Sequence, residues 1–351
     1  MSRREYAELT LADEAVGRGK PPVKPKIKIK FTDFWDVFDE QDNFITKALC
    51  NNFDYEISDE PDFVFCSLFG RRHLKYRCAK IFFTGENILP DFNLVDYGMG
   101  FQEISFYDRY LRLPLYVLYP EVCEMALHKH MNSDEYYLKN RKFCNFVISN
   151  AISDPARDKM IDVLSTYKQV DSGGRYRNNV GGPVPDKVEF QKGYKFTMAF
   201  ENTSSRGYTT EKVMEAFASG TVPIYWGNPD IAKEFNPKAF INCHDFASFE
   251  DVLEEIKRID ADDELYLSMV KAPIVIDDSA ARTCLSGHYL EDYLKMICSQ
   301  SPREAIRRNT IYQGEYYENE ARFHEKFDRV MYTPKRFVHA MNNKIKIKSK
   351  S

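Results

Sequence analysis

The sequence predicts an α/β protein built from two doubly wound units in series. Three observations predict it. The chain has 351 residues, and at about 150 residues per domain that length favours two packed domains. Short apolar runs of strand length alternate with stretches of helical periodicity, the pattern of parallel strands joined by crossover helices. The alternation fades into a polar stretch and restarts just after Arg141. The expected organisation is a polar arm over 1–25, a first Rossmann-like unit over 26–140, a second over 141–335 that includes the terminal helices, and a basic tail over 336–351.

The arm ends in Pro21-Pro22. Ile27-Lys28-Ile29-Lys30-Phe31 then alternates apolar and polar residues in the two-residue rhythm of a strand. Phe34 to Phe53 mixes apolar and acidic residues and reads as a peripheral helix. Pro61 to Cys66 and Lys80 to Thr84 read as buried strands, and Leu94 to Gly100 and Leu111 to Tyr116 as shorter runs broken by Gly and Pro. Glu121 to Arg141 is polar and helical. The second unit opens with strand Phe143 to Ile148. It continues with helix Pro155 to Tyr167, strand Tyr194 to Phe200, helix Thr210 to Ser219, strand Val222 to Trp226, helix Asp230 to Phe235, and the run Ala239 to Asn242. Glu250 to Ile259 is an amphipathic helix, and helical stretches dominate from about 285 onward.

Composition closes off several functional classes. Lys+Arg number 49 against 53 Asp+Glu, a net charge of −4, so no global positive field exists to bind nucleic acid. At 43% hydrophobic and 29% charged residues, disorder is excluded as the main state. No apolar run reaches the ~18 residues of a membrane span, and the polar start carries no secretory signal. The expectation is a cytoplasmic protein, with the Lys344 to Lys350 tail either a solvated terminus or a peripheral contact to anionic lipid on the inner membrane face. The 8 cysteines form no C-x-x-C pair and read as reduced core residues.

In open α/β sheets, ligands bind at the carboxyl ends of the strands, which directs attention to Thr84–Asn93, Ser149–Arg157 and Phe200–Lys212. The last is the densest. A strand runs into a small-residue loop, and a helix starts near Thr210 with Glu211 and Lys212 in its first turn. Free backbone N–H groups and the positive dipole end suit phosphate there, with Lys212 adding charge. Alternatively, Thr209 or Thr210 merely caps the helix and Glu211 complements its dipole.

Phe200-Glu201-Asn202-Thr203, Tyr208-Thr209-Thr210-Glu211-Lys212 and Gly220-Thr221-Val222-Pro223-Ile224-Tyr225-Trp226-Gly227 together resemble the donor-binding signature of the α-1,3-fucosyltransferases, glycosyltransferase family 10. The likeness continues through Ala232–Pro237 and His244-Asp245-Phe246. Earlier it includes Thr84-Gly85-Glu86-Asn87, Phe92-Asn93-Leu94 and Arg109–Pro114. It covers about 80 to 330 and is strongest to bacterial members. The resemblance implies the GT-B architecture, in which two Rossmann-like domains face each other across a cleft, the first (26–140) holding the acceptor and the second (141–335) GDP-fucose. It further implies inverting transfer of fucose from GDP-fucose to the 3-hydroxyl of N-acetylglucosamine in an N-acetyllactosamine-type glycan, as in Lewis x formation.

The same resemblance assigns residues. Glu86 becomes the general base, a role worth roughly 10²–10⁴ in rate; a turn-capping Glu86 stays open, with Asp96, Glu103 and Glu201 as other carboxylates. Arg157 and Lys212 fall on the diphosphate, Tyr208 and Glu211 on ribose and fucose, and Asn202 near the nucleotide. A rigid guanidinium fork suits two phosphate oxygens, although Arg157 could instead pair with Asp154 or Asp158. The resemblance implies no required cofactor, a divalent metal being at most stimulatory. Asp260-Ala261-Asp262 superficially resembles a metal-binding D-x-D but reads better as a solvated helix end. His128 and His130 point to different helix faces. Asp171 to Asn179 is Gly-rich and basic, a candidate lid over GDP. The heptad repeats of some bacterial members and the anchor and disulfides of eukaryotic ones are not found. Linkage to the 4-hydroxyl, another nucleotide sugar, or a binding module without turnover are the rival readings.

Overall fold

The computed structural model describes residues 23–327 except 130, 131, 140, 277, 278, 286 and 287. The basic tail and nearly all of the polar arm therefore lie outside the described residues, as does His130.

Among the described residues, eleven strands form two sheets. β1 (Lys26–Thr32), β2 (Asp54–Ile57), β3 (Phe63–Cys66), β4 (Ala79–Phe83), β5 (Tyr97–Gly100) and β6 (Tyr110–Arg112) pair in the order β2-β1-β3-β4-β5-β6. β7 (Lys142–Phe146), β8 (Val170–Ser172), β9 (Tyr194–Phe200), β10 (Val222–Trp226) and β11 (Ile241–Asn242) pair in the order β11-β10-β9-β7-β8. Every pairing is parallel. Counted from its own first strand, each sheet starts 2-1-3-4-5, so the order reverses between β1 and β3 and again between β7 and β9. A crevice opens at each reversal, at the carboxyl ends of the strands. The central strands are apolar because both their faces are covered: all residues of β3 and β4 are buried.

Two sequence expectations are corrected here. Phe34 to Phe53 is not one helix; only Phe44–Cys50 is helical, started by a capping box between Asn43 and Thr46. Asp33 takes the left-handed conformation, φ 63°, and its buried carboxylate accepts the backbone N–H groups of Arg72 and His73, both at 2.9 Å, and contacts His73 Nδ1 at 2.8 Å. That anchor turns 33–43 into a loop over the first crevice. Likewise, Asp230 to Phe235 contains only a 3₁₀ turn, Ile231–Lys233.

The chain also returns to its first half. Tyr293, Leu294, Ile297 and Cys298 of helix Tyr289–Cys298 share a core with Ile29, Phe65, Ile81 and Met99. Arg308 pairs with buried Asp96, and Lys80 with Glu318 at 2.5 Å. Residues 289–327 thus pack on the first sheet, whereas the sequence reading put them in the second unit. The reason is coverage: between β1 and β2 the first sheet has only a seven-residue helix, and the returning helix closes the face left bare.

Candidate active site

The second crevice starts at the end of β7, where the chain enters helix Ala156–Ser165. Arg157, in its first turn, is 1% exposed. None of its three guanidinium nitrogens finds a hydrogen-bond partner among the described residues, and its Cζ lies 4.8 Å over the ring of Tyr176. Burial pushes its pKa down. Neither nearby acid bonds to it, although the charge of Asp158 partly offsets the effect of burial. Asp158 accepts the Tyr176 hydroxyl at 2.7 Å, and Asp154 accepts the Ala156 N–H at 2.9 Å. An unpaired buried cation is strongly disfavoured, so this geometry calls for an anion.

The loop after β9 lies alongside, because the Asp154 N–H donates to the Asn202 carbonyl at 2.9 Å. Glu201 is fully buried. Its oxygens accept the Thr210 N–H at 2.7 Å, the Thr210 hydroxyl at 2.6 Å and Lys212 Nζ at 2.9 Å. Thr210 therefore does not cap the helix Glu211–Ala218 with its side chain; the hydroxyl is spent on Glu201. Lys212 also donates to Thr210 Oγ1 at 2.9 Å and lies 3.9 Å from Glu211. Part of the charge that the sequence reading gave wholly to a ligand is thus balanced by Glu201, with one of the three ammonium N–H groups left over. Burial raises the pKa of Glu211, but Lys212 and Lys187 more than offset it, so the net direction is down.

Tyr208 is 1% exposed, its ring edge-to-face with Phe101 of the first unit at 4.7 Å. The sequence reading put it on ribose and fucose; the structure packs it between the units. Burial raises its pKa, and Glu201, Lys212, Glu86 and Glu211 all act on its hydroxyl. Carboxylates from both units meet at this point.

Glu86 follows β4. Its N–H donates to Thr84 Oγ1 at 3.0 Å, and its exposed side chain lines a cavity of about 480 Å³ together with Trp35, Asp39, Phe69, Leu115 and Tyr119. Leu115 of that lining donates its N–H to the Thr209 carbonyl at 3.3 Å, so the cavity borders the approach to helix Glu211–Ala218. Next to the candidate base, Asn87 Nδ2 donates to Thr203 Oγ1 at 3.1 Å. The Thr84–Asn87 and Phe200–Thr203 strings, 116 residues apart, touch here. Of the other carboxylates named above, Asp96 is bound by Arg308 and the Lys80 N–H, and Glu201 is buried as described.

Sequence reasoning missed the clamp that holds the units together. Arg112 donates to the Phe101 carbonyl at 3.0 Å, the Gly207 carbonyl at 2.9 Å and Glu234 at 2.5 Å. Both residues lie in strings quoted above, yet nothing in a one-dimensional pattern pairs them. The candidate lid is also corrected. Asn178 Nδ2 donates to the carbonyls of Ser172, Gly174 and Gly182, and Asn179 Oδ1 accepts the Ser172 N–H. This ties the segment down beside Arg157. Asp260 is not solvated but paired with Lys168 at 2.5 Å and Lys195 at 3.0 Å. Among the described residues no group of three or more His, Cys, Asp or Glu could hold a metal ion, and no helix is long and apolar enough to cross a membrane. Six of the eight cysteines are buried and all are free.

Residues 29–119 match the Alpha-(1,3)-fucosyltransferase FucT N-terminal domain, and residues 137–271 match Glycosyltransferase family 10 (fucosyltransferase) C-term. Over 305 residues the chain is 35% identical to alpha-(1,3)-fucosyltransferase FucT of Helicobacter pylori, covering 76% of this chain and 63% of that protein. It is 29% identical over 186 residues to human GDP-fucose protein O-fucosyltransferase 3, covering 49% of this chain and 39% of that one. The chain thus spans less than two thirds of these relatives' lengths. A crystal structure of alpha1,3-fucosyltransferase with GDP-fucose aligns with TM-score 0.70 and 29% identity, over 85% of this chain and 97% of that one. One with GDP aligns with TM-score 0.68 and 32% identity, over 82% and 94%.

Proposed function

The chain belongs to glycosyltransferase family 10, and from that membership we propose that it transfers L-fucose from GDP-fucose to the 3-hydroxyl of N-acetylglucosamine in lactosamine-type glycans, with inversion at the anomeric carbon. The observation that carries the reading is the unpaired, buried Arg157 beside the Phe200–Lys212 loop. Its fork holds two diphosphate oxygens, while the spare N–H of Lys212 and the free backbone N–H groups that begin helix Glu211–Ala218 hold others. As the bond to fucose breaks, negative charge grows on the departing GDP and meets these donors. Positive charge grows on the sugar ring, as in glycoside hydrolysis, and ionised Glu211 is the carboxylate nearest to that task.

Glu86 approaches from the first unit and takes the acceptor hydroxyl's proton as that oxygen attacks the face opposite GDP. Attack from that face is what inverts the centre. Asn87 and Thr203 hold the base's turn against the donor loop. Because side-chain cations and backbone N–H groups meet the diphosphate charge in this scheme, turnover should survive a chelator.

Incubation with GDP-fucose and N-acetyllactosamine should release GDP and yield a trisaccharide whose linkage to the 3-hydroxyl is read by NMR. Glu86→Gln should lower turnover by roughly 10²–10⁴ while GDP binds almost as before. Undiminished turnover in that variant removes Glu86 as the base; a linkage to the 4-hydroxyl corrects the acceptor position.

A further inference from the structure

The cavity in front of Glu86 sits at the carboxyl ends of β1, β3 and β4, where the first sheet's order reverses. Its wall is aromatic and open: Trp35 is 37% exposed, Phe69 57% and Tyr119 42%. Trp35 meets Phe69 edge to face at 6.4 Å. The loops that carry these two rings are fixed by Asp33, which binds the backbone of Arg72 and His73. Rigid, solvent-exposed aromatic faces of this kind suit the C–H faces of a sugar ring.

The remaining polar lining is one-signed. Asp39, Asp42 and Glu86 line the cavity, and among the described residues no Lys, Arg or His does. Asp36 and Glu40 stand on the same loop. Of the cations on the surrounding elements, Lys47 pairs with Asp42 at 3.0 Å, Arg72 with Asp33 at 3.5 Å and Lys212 with Glu201 at 2.9 Å, which leaves Asp39 and Glu86 as the lining carboxylates without an ion pair among the described residues. Sugar hydroxyls can donate to such carboxylates, whereas a second anion meets only like charge.

Taking this cavity as the acceptor side of the fucosyl-transfer reaction, we propose that its unpaired carboxylates make it select neutral oligosaccharides over acceptors carrying an anionic sugar. The inference rests on the fucosyl-transfer reading above. A single like charge about 7 Å away in a water-like dielectric disfavours an anion by roughly threefold, and the two lining carboxylates without a counter-ion, Asp39 and Glu86, compound that to roughly sevenfold. At such spacings, within the Debye length of about 8 Å at physiological salt, the penalty persists in the cell and fades only at high salt.

The test compares kcat/KM for N-acetyllactosamine and for its sialylated form at low and high ionic strength. The neutral acceptor should be preferred by roughly sevenfold at low salt, and added salt should narrow the gap. Asp39→Asn with Asp42→Asn should narrow it at low salt while the KM for GDP-fucose stays the same. Equal use of both acceptors at low salt overturns the inference. So does a preference that neither salt nor the substitutions move. Should the double variant fail to fold, the salt series on the unaltered chain decides. Absence of transfer to either acceptor instead defeats the fucosyl-transfer reading itself, which keeps the two failures distinct.

Discussion

Arg112, at the end of β6, donates to the carboxylate of Glu234 at 2.5 Å across the boundary between the two units. Glu234 is fully buried and also accepts from Thr209 Oγ1 at 2.7 Å, Asn228 Nδ2 at 2.8 Å and Tyr116 Oη at 3.0 Å. Burial alone would lower the pKa of Arg112, but Glu234 reverses the direction. Arg112 therefore stays charged and holds the donor loop through the Gly207 carbonyl.

Removing one partner of this pair leaves the other buried and uncompensated, a loss of about 3–5 kcal/mol. Arg112→Met should lower the denaturant midpoint accordingly. Arg112→Met combined with Glu234→Gln should be less destabilised than Arg112→Met alone, because no orphaned charge remains while the amide oxygen still accepts from Thr209 and Asn228. If the double variant is the weaker of the two, the pair is not the unit that holds the boundary.

Arg157 should behave in the opposite way. Its guanidinium has no hydrogen-bond partner to lose among the described residues, only the face of the Tyr176 ring, and its burial is unfavourable without a ligand. Arg157→Met should leave the melting temperature unchanged or raise it, while weakening GDP by about 10–150-fold, the equivalent of a charge-assisted hydrogen bond of about 1.5–3 kcal/mol. Thermal melts with and without GDP check both halves. A variant that melts earlier yet keeps its GDP-induced shift would make Arg157 a structural residue.

These two arginines mark the limit of what the sequence discloses. β1, β4, β9 and β10 were legible because their alternation or apolar length is a local signal, and the second crevice because its string of motif residues is contiguous. The loop 33–43 was not, since its shape depends on Asp33 reaching the backbone forty residues away. Nor was the return of residues 289–327, which follows from an uncovered sheet face. Glu201 was visible only as one carboxylate among several. Its burial against Thr210 and Lys212 is a tertiary fact, as is the packing of Tyr208 on Phe101.

Lys129 sets a pH dependence of stability. It is 3% exposed, its ammonium has no hydrogen-bond partner among the described residues, and it lies 4.8 Å over the Phe217 ring. Burial lowers its pKa to about 7. Between that value and the ordinary lysine value the unfolded chain holds one more proton than the folded one, so Lys129 makes stability rise with pH across this window by up to roughly 1.4 kcal/mol per unit. Below about pH 7 both states are protonated and the full penalty is present. Lys129→Met should therefore stabilise the fold most at or below neutral pH, with the gain shrinking toward about pH 10. Chemical denaturation across that range measures it, and a gain that does not vary with pH would mean that the lysine never titrates in the fold.

Gly207 tests whether the contact between units matters for turnover separately from binding. Its φ is 80°, and a Cβ added there would lie 2.3 Å from the Phe101 carbonyl oxygen. Gly207→Ala therefore carries left-handed strain of about 1–2 kcal/mol and must also push the donor loop off the first unit, a further 1–3 kcal/mol or so. Arg157 is held on helix Ala156–Ser165 rather than on this loop, whereas Lys212 stands at the loop's end, so GDP affinity should fall, but by less than turnover does. Glu86 stands on the first, so turnover should drop by more than about tenfold, the equivalent of about 1.4 kcal/mol in the barrier. Gly181→Ala is the control: its φ is 90°, but an added Cβ meets nothing within 4 Å, so it bears the backbone strain without the clash. Equal turnover losses in the two variants would assign the effect to general destabilisation. A loss confined to Gly207→Ala places the reaction at the seam where the two units meet.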